Sequence, residues 1–500
     1  MKKVIFGAAA LLFSGAIMAQ VTQDALTDFN GTDSVDAQQA ADFSFGSGNQ
    51  GEGIQSGNTN KLQVLQAGTN QSSYSVQGDG LGAGGNSARI WQTGEVTNVS
   101  GEENAADVRQ LGTENQSTTV QGGDFNESVT RQGLKDGGLS GFNKASILHG
   151  TAEQGEMNFS MIEQDGQTNQ ARTIQQYDNN QARIVQEGDT NISQLHQNAT
   201  SNGADGNVAI AEQYGDQNVS QTYQAGSRNT AHSVQEGNMN IVNQTQLGDD
   251  NEALVDQGAD VEPINSFGDS QADLDAAINT FADSGFTNGN DNTGGGSTAG
   301  MALQVQTGSD NLGYIGQWGD SSEASDYAEQ NQTGNTNGAY MVQNAHGSAT
   351  GGANYGRQDQ TGDSNFAVAG QNGANHKTYQ RQVGDFNAAI TSQKGNANLV
   401  STYQSGDGNV ALSGQRGVAN QTLIVQKSGV ADGSGHSFQA SQNLADGTPN
   451  GGNTISVLQL GPSGDVNGIH EGCDFQDQGT LGTPADIDSF ILDAPCGPGC

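Results

Sequence analysis

Between residues 158 and 197 the chain alternates its side-chain character in four consecutive runs of seven: N-F-S-M-I-E-Q from Asn158, N-Q-A-R-T-I-Q from Asn169, N-Q-A-R-I-V-Q from Asn180 and N-I-S-Q-L-H-Q from Asn191. Successive side chains of an extended chain point to opposite faces, so positions 1, 3, 5 and 7 of a run share one side. In the run from Asn180 that side holds Asn180, Ala182, Ile184 and Gln186, while Gln181, Arg183 and Val185 face the other way. The recurring set is the first: Asn and Gln at the ends, small and mostly β-branched residues between. Seven residues is an ordinary strand length, and β-branched side chains suit a pleated surface. A helix reading fails on period, because the alternation has period two.

The same Asn-x5-Gln unit appears at Asn207, Asn218, Asn229, Asn240 and Asn251, at Asn104, Asn115 and Asn126, and at further places from Asn60 to Asn453. Most copies are followed by x-G-x-x, as in Q186-E-G188-D-T-N191. Gly tolerates positive φ, and Asn, Asp, Ser and Thr bond locally in turns, so this tetrad supplies a corner. Two units make one strand-turn-strand coil, and a short period held over hundreds of residues means a stack in which each coil depends on its neighbours. The predicted fold is all-β, a β-solenoid.

A buried amide costs a few kcal/mol when unpaired, but coils stacked about 4.8 Å apart let each amide meet its counterpart above or below. The expected ladder comprises Asn158, Gln164, Asn169, Gln175, Asn180, Gln186, Asn191, Gln197, Asn207, Gln213, Asn218, Gln224, Asn229, Gln235, Asn240 and Gln246. Low hydrophobic content and 74 glycines would also permit a disordered polar tract, but disorder gives no reason to hold an eleven-residue phase. At Asn375 the phase slips by one residue and recovers, with its Gln at Gln382.

The string Q-x-G-x-x-N-x-A/S-x3-Q, as in Q213-Y-G-D-Q-N-V-S-Q-T-Y-Q224, resembles the curlin repeat over roughly residues 60–460. Curlins are the secreted subunits of curli, the amyloid fibres of bacterial biofilm matrix. The resemblance implies a curlin-type solenoid subunit that polymerises with copies of itself into cell-surface fibres. It also implies two partners, a curli-type nucleator and an outer-membrane secretion channel. Familiar curlins carry only a few coils, so this chain is unusually long.

Residues 1–19 read as a signal peptide: Lys2 and Lys3, an apolar run, then small residues ending in Ala19. That run is too short to span a bilayer, and no other candidate for a transmembrane segment occurs, so the expected location is extracellular. Residues 20–59 read as a flexible leader, residues 60–460 as the repeat array and residues 461–500 as a Cys-containing tail. Its Cys473, Cys496 and Cys500 allow one disulfide in an oxidising compartment, with one thiol left over or paired between chains.

A formal net charge of −38 argues against nucleic acid as a partner, since a phosphate backbone needs Lys and Arg clusters. Asp and Glu crowd the corners, where they fit turn chemistry and a solvated rim. The calcium-binding G-G-x-G-x-D nonapeptide is absent.

Five stretches interrupt the phase: residues 78–85, 133–142, 258–300, 344–353 and 427–452. Rich in Gly, Ser and Asp, they read as enlarged corners. The insertion 258–300 holds D269-S-Q-A-D-L-D-A-A-I-N-T-F-A282, where Leu274, Ile278 and Phe281 are spaced for one helical face that could cover apolar surface on the solenoid's side.

No G-x-S-x-G elbow, phosphate loop or H-E-x-x-H motif occurs. The histidines, His149, His196 and His232 among them, read as variable solenoid positions, and the carboxylates as solvated corner groups. The expectation is therefore a structural protein rather than an enzyme, with no cofactor and no metal site. The alternative from another class is a monomeric secreted solenoid that acts as an adhesin or ligand-binding protein.

Overall fold

A computed structural model describes residues 48–78, 84–93, 103–133, 140–150, 155–199, 205–258, 297–318, 326–344, 352–428, 435–442 and 451–461. The signal peptide, most of the leader, the segment 269–282 and all three cysteines lie outside these residues. Every described element is a strand, and every pairing of strands is parallel. The chain divides into two units, Met1–Asn251 and Glu252–Cys500, each a β-solenoid.

In the first unit, strands alternate between two sheets that face each other across the core. One sheet stacks Gln170–Gln176, Ile192–Asn198, Val219–Ala225 and Ile241–Leu247, and the other Gln181–Glu187, Val208–Tyr214 and Thr230–Asn238. Register follows the repeat: Gln175 lies beside Gln197, and Gln197 beside Gln224. Phe159–Asp165 continues the second sheet, its Phe159 amide donating to Asn180 O at 2.9 Å. Positions 3 and 5 fill the space between the sheets, where Ala145, Ile147, Ile162, Ile184, Leu195 and Ala211 pack together. Period-two alternation thus holds: Gln186 and Gln197 are fully buried, whereas Gln170 and Gln181 are exposed.

The second unit repeats the plan. Its sheets include Leu312–Trp318, Gly338–Asn344, Phe366–Ala374 and Ala388–Asn396 on one side and Met301–Thr307, Tyr327–Thr333, Tyr355–Thr361 and Lys377–Val383 on the other. Here the interior departs from the expected small and β-branched filling, because position 5 of one sheet carries Gln304, Gln330, Gln358 and Gln380, all buried.

Several strands escape the Asn-x5-Gln count because one end residue is replaced. Ser72–Gly78 follows Gln71 instead of Asn, Lys144–His149 ends in His, Met301–Thr307 follows Gly300, Tyr327–Thr333 follows Asp326, and Lys377–Val383 follows His376. The slip expected at Asn375 is therefore no slip: His376 occupies the Asn position in phase. The stretch 427–452 is likewise not one corner, since it contains the strand Ser437–Gln442 after His436. Gln50–Gln55, inside the expected leader, is a strand whose Asn49 and Gln55 complete a unit.

At the corners Gly188 has φ 108° and sits so close to the next coil that an added Cβ would run into the Gly215 carbonyl oxygen. A second left-handed residue, immediately before the Asn, went unrecognised in the sequence: Thr190 (φ 64°), Gln217 (62°), Met239 (61°) and Phe386 (57°) share no side-chain type. Each is held by its own amide, as in Thr190 N to Gln167 O at 2.9 Å and Met239 N to Asp216 O at 2.9 Å. Hydrogen bonding to the neighbouring coil offsets a conformation that costs about 1–2 kcal/mol.

Candidate functional site: stacked amide ladders

The glutamines form the ladder their spacing predicts. Gln175 Nε2 donates to Gln197 Oε1 at 2.8 Å, Gln197 to Gln224 at 3.0 Å and Gln224 to Gln246 at 2.8 Å. In the facing sheet Gln164, Gln186 and Gln213 donate in turn to Gln186, Gln213 and Gln235, each at 2.8 Å. The same Nε2 atoms also reach across the core to the opposite sheet, Gln197 to Gln181 O at 2.9 Å and Gln224 to Val208 O at 2.8 Å. Each glutamine therefore bonds coil to coil and sheet to sheet, a cross-link that one-strand periodicity does not reveal.

The asparagines behave differently from the simple stack expected of them. The backbone amide of each Asn donates to Oδ1 of the Asn one coil earlier: Asn191 to Asn169 at 2.9 Å, Asn218 to Asn191 at 2.9 Å, Asn240 to Asn218 at 3.0 Å. Nδ2 then donates to a corner carbonyl of the following coil, Asn169 to Gly188 O at 2.7 Å and Asn191 to Gly215 O at 2.7 Å. In the facing sheet amide-to-amide contacts are added, as in Asn180 Nδ2 to Asn158 Oδ1 (3.1 Å) and Asn229 Nδ2 to Asn207 Oδ1 (2.9 Å). All sixteen expected ladder residues are buried.

Substituted positions reveal which function is required. His376 stands in for Asn: the Asn398 amide donates to its Nδ1 at 3.3 Å, while Nε2 lies 3.1 Å from Asn372 O. A neutral Nε2–H imidazole satisfies both contacts, and burial keeps the ring neutral by pushing its pKa down to about 4. Asp326 also replaces Asn and accepts the Asn354 amide at 2.8 Å. Burial raises its pKa to about 7, partly opposed by hydrogen bonds from Asn354. This corrects the expectation that carboxylates are confined to solvated corners. His149 replaces Gln, bonds Ser160 Oγ at 2.8 Å and is held neutral by burial, with a pKa near 3.

The second unit adds a further ladder at position 5, Gln304 to Gln330 at 2.9 Å, then Gln330 to Gln358 and Gln358 to Gln380 at 2.8 Å. Beside it runs the ordinary ladder, Gln306 to Gln332 (2.9 Å) and Gln332 to Gln360 (3.0 Å).

Corner carboxylates cap neighbouring backbone: Gln167 N donates to Asp189 Oδ1 and Asp189 N to Asp216 Oδ1, both at 2.8 Å. Outward charges pair along one sheet, Arg183 bridging Glu212 at 3.0 Å and Glu163 at 3.9 Å. Among the described residues no group of three or more His, Cys, Asp or Glu side chains could hold a metal ion, and no helix is long and apolar enough to cross a membrane. His196 and His232 face outward on separate sheets, each shifted down to about 4 by burial and then by a nearby Arg.

The ladders have a direction. Gln55 and Gln66, in the first described strands of the first unit, donate to Gln77 and Gln92. Gln442 and Gln459, in the last described strands of the second unit, accept from Gln415 and Gln426. No family model and no curated protein matches this chain.

Proposed function

We propose that the protein is a secreted structural subunit that self-assembles into curli-like extracellular amyloid fibres serving cell adhesion and biofilm matrix. The observation that carries this reading is the one-way amide ladder. Inward Gln residues donate onward, with one break at His149, so a first coil offers acceptor oxygens and a last coil offers donor N–H groups. Copies stacked head to tail would join Gln442 and Gln459 of one chain to Gln55 and Gln66 of the next. Parallel sheet edges, with backbone groups ready for another strand, add to the same tendency. The curlin-like repeat supports export to the cell surface and nucleation there by a dedicated partner.

The test is the assembly of purified chain lacking residues 1–19. Thioflavin-positive fibres should form after a lag that preformed seeds abolish, with a strand repeat of about 4.8 Å in fibre diffraction. A chain that stays monomeric for days at high concentration would overturn the reading and favour a monomeric adhesin.

A further inference from the structure

Position 3 of the repeat is Gly, Ala, Ser, Thr or Val in every strand from Ser72–Gly78 to Gln421–Lys427. Among the described strands this holds everywhere except in the two end coils. Leu62 breaks it in the first coil, made of Gln50–Gln55 and Lys61–Ala67, and Phe438 and Ile455 break it in the last, made of Ser437–Gln442 and Thr454–Leu460. The first coil also has Gly51 and Gly53 at positions 3 and 5 of one strand, a combination found in no other described strand. Bulk is therefore gathered in the last coil and missing from one strand of the first.

His436 repeats an arrangement that elsewhere joins two coils. His376 turns Nε2 to the carbonyl of Asn372, the residue after the Gln of the preceding strand, and presents Nδ1 to the Asn398 amide of the next coil. His436 likewise has Nε2 3.0 Å from the carbonyl of Lys427, the residue after Gln426, while its amide donates to Asn409 Oδ1 at 3.1 Å. The same ring orientation turns Nδ1 toward the next coil, yet Ser437–Gln442 is the last described strand of its sheet. At the other end, Asn49 Oδ1 accepts the Gln71 amide at 3.0 Å, as a position-1 Asn does throughout, and Gln50–Gln55 is the first described strand of its sheet.

We propose that the last coil docks the first coil of a second copy, with His436 Nδ1 accepting the Asn49 amide of that copy and Phe438 seated over its Gly51. This rests on the fibre-forming reading above and adds the residues that make the junction. Phe438 packs on Ala411, Ile424 and Ala440 with one side, and a glycine opposite is what leaves room to cover the other. The same register sets Leu458 beside Leu65, outward leucines that are 39% and 48% exposed, and removes both from water.

Seeded elongation by the chain lacking residues 1–19 tests the junction. His436→Phe keeps a ring and loses the acceptor, and should slow elongation roughly tenfold because the incoming amide is stranded. His436→Asn, which restores the residue found at this position in most strands, should stay within about twofold of the unaltered rate. Gly51→Val should slow elongation by roughly tenfold or more by overfilling the junction; in its own chain an added Cβ meets the Ser73 hydroxyl at 2.9 Å, a group free to rotate aside. Far-UV circular dichroism of the monomers should be unchanged. Should His436→Phe fail to fold, Gly51→Val at the opposite end decides. Fibres that grow at the unaltered rate from both variants would overturn the junction and leave the fibre reading standing, whereas an unaltered chain that forms no fibres removes both. Slowing by His436→Phe that His436→Asn does not rescue would reject His436 as the acceptor, and growth that starts only after residues 462–500 are deleted would give the last coil to the chain's own tail.

Discussion

The two units bury amides in different ways. In the first, position 5 is filled mostly by side chains without amides, such as Ile184, Leu195 and Ala211, and one Gln ladder runs along each sheet. In the second, Gln304, Gln330, Gln358 and Gln380 put a second ladder beside the first, and Asp326 and His376 replace Asn at the corner. The solenoid therefore does not require a greasy interior. It requires that each inward polar group find a donor or acceptor one coil away, whichever residue supplies it.

The sharpest way to break this comparison is Gln358→Leu. It strands the Gln330 donor and the Gln380 acceptor, each group costing about 1–3 kcal/mol, so the second unit should lose about 4 kcal/mol. The first unit offers the control: Gln197→Ala should cost several times more than Gln181→Ala, because only Gln197 is a rung. Thermal or denaturant unfolding of the intact chain measures both, and equal losses from Gln197→Ala and Gln181→Ala would mean the faces are misassigned.

A somewhat smaller effect separates the units by pH. The Asp326 carboxyl is raised to about 7, above its unfolded value, so its contribution is fully present below about pH 4 and is lost as pH rises through 7. Asp326→Asn should remove that loss and stabilise the second unit at pH 8 by on the order of 3 kcal/mol. His376 acts in the opposite window. Its pKa is lowered to about 4, so its contribution is present above about pH 6.5 and fades as pH falls through 4. His149 in the first unit, lowered to about 3, follows the same acid-side sign. Between pH 5 and 8 the loss at Asp326 is partly offset by the gain at His376 in the same unit, so the native chain should weaken with rising pH relative to Asp326→Asn, as hydrogen exchange of the strand Tyr327–Thr333 would report.

The smallest expected effect concerns the left-handed residue before each Asn. Phe386, at φ 57° and 68% exposed, contributes little packing. Phe386→Gly should change stability by no more than about +1 kcal/mol, in the stabilising direction. A loss would mean that its ring, and not its backbone, matters there.

Much of this fold is legible in sequence because two periods coincide. Alternation by two assigns Gln186 inward and Gln181 outward, and the step of eleven sets coil length. What escapes is whatever depends on hydrogen-bond function instead of residue identity: Asp326, His376 and His149 break the letter pattern while keeping the bonds. The left-handed residues escape because neighbouring-coil bonds, not side-chain preference, hold them. The burial of Leu254, Tyr314 and Tyr340, at position 4 of adjacent strands, escapes because alternation alone assigns such positions to solvent.

Rungs of the ladder join residues separated by 22 positions, as in Gln175 to Gln197, but also by 28 in Gln330 to Gln358 and 32 in Gln132 to Gln164. Bond lengths stay at 2.8 Å in all three. Extra residues between strands thus leave the junction between coils undisturbed. For a gene encoding such a chain, tandem duplication of one coil's worth of sequence creates only junctions of a kind already present. The array can lengthen or shorten by whole coils, and acquire new segments at its bends, while each intermediate remains a foldable protein.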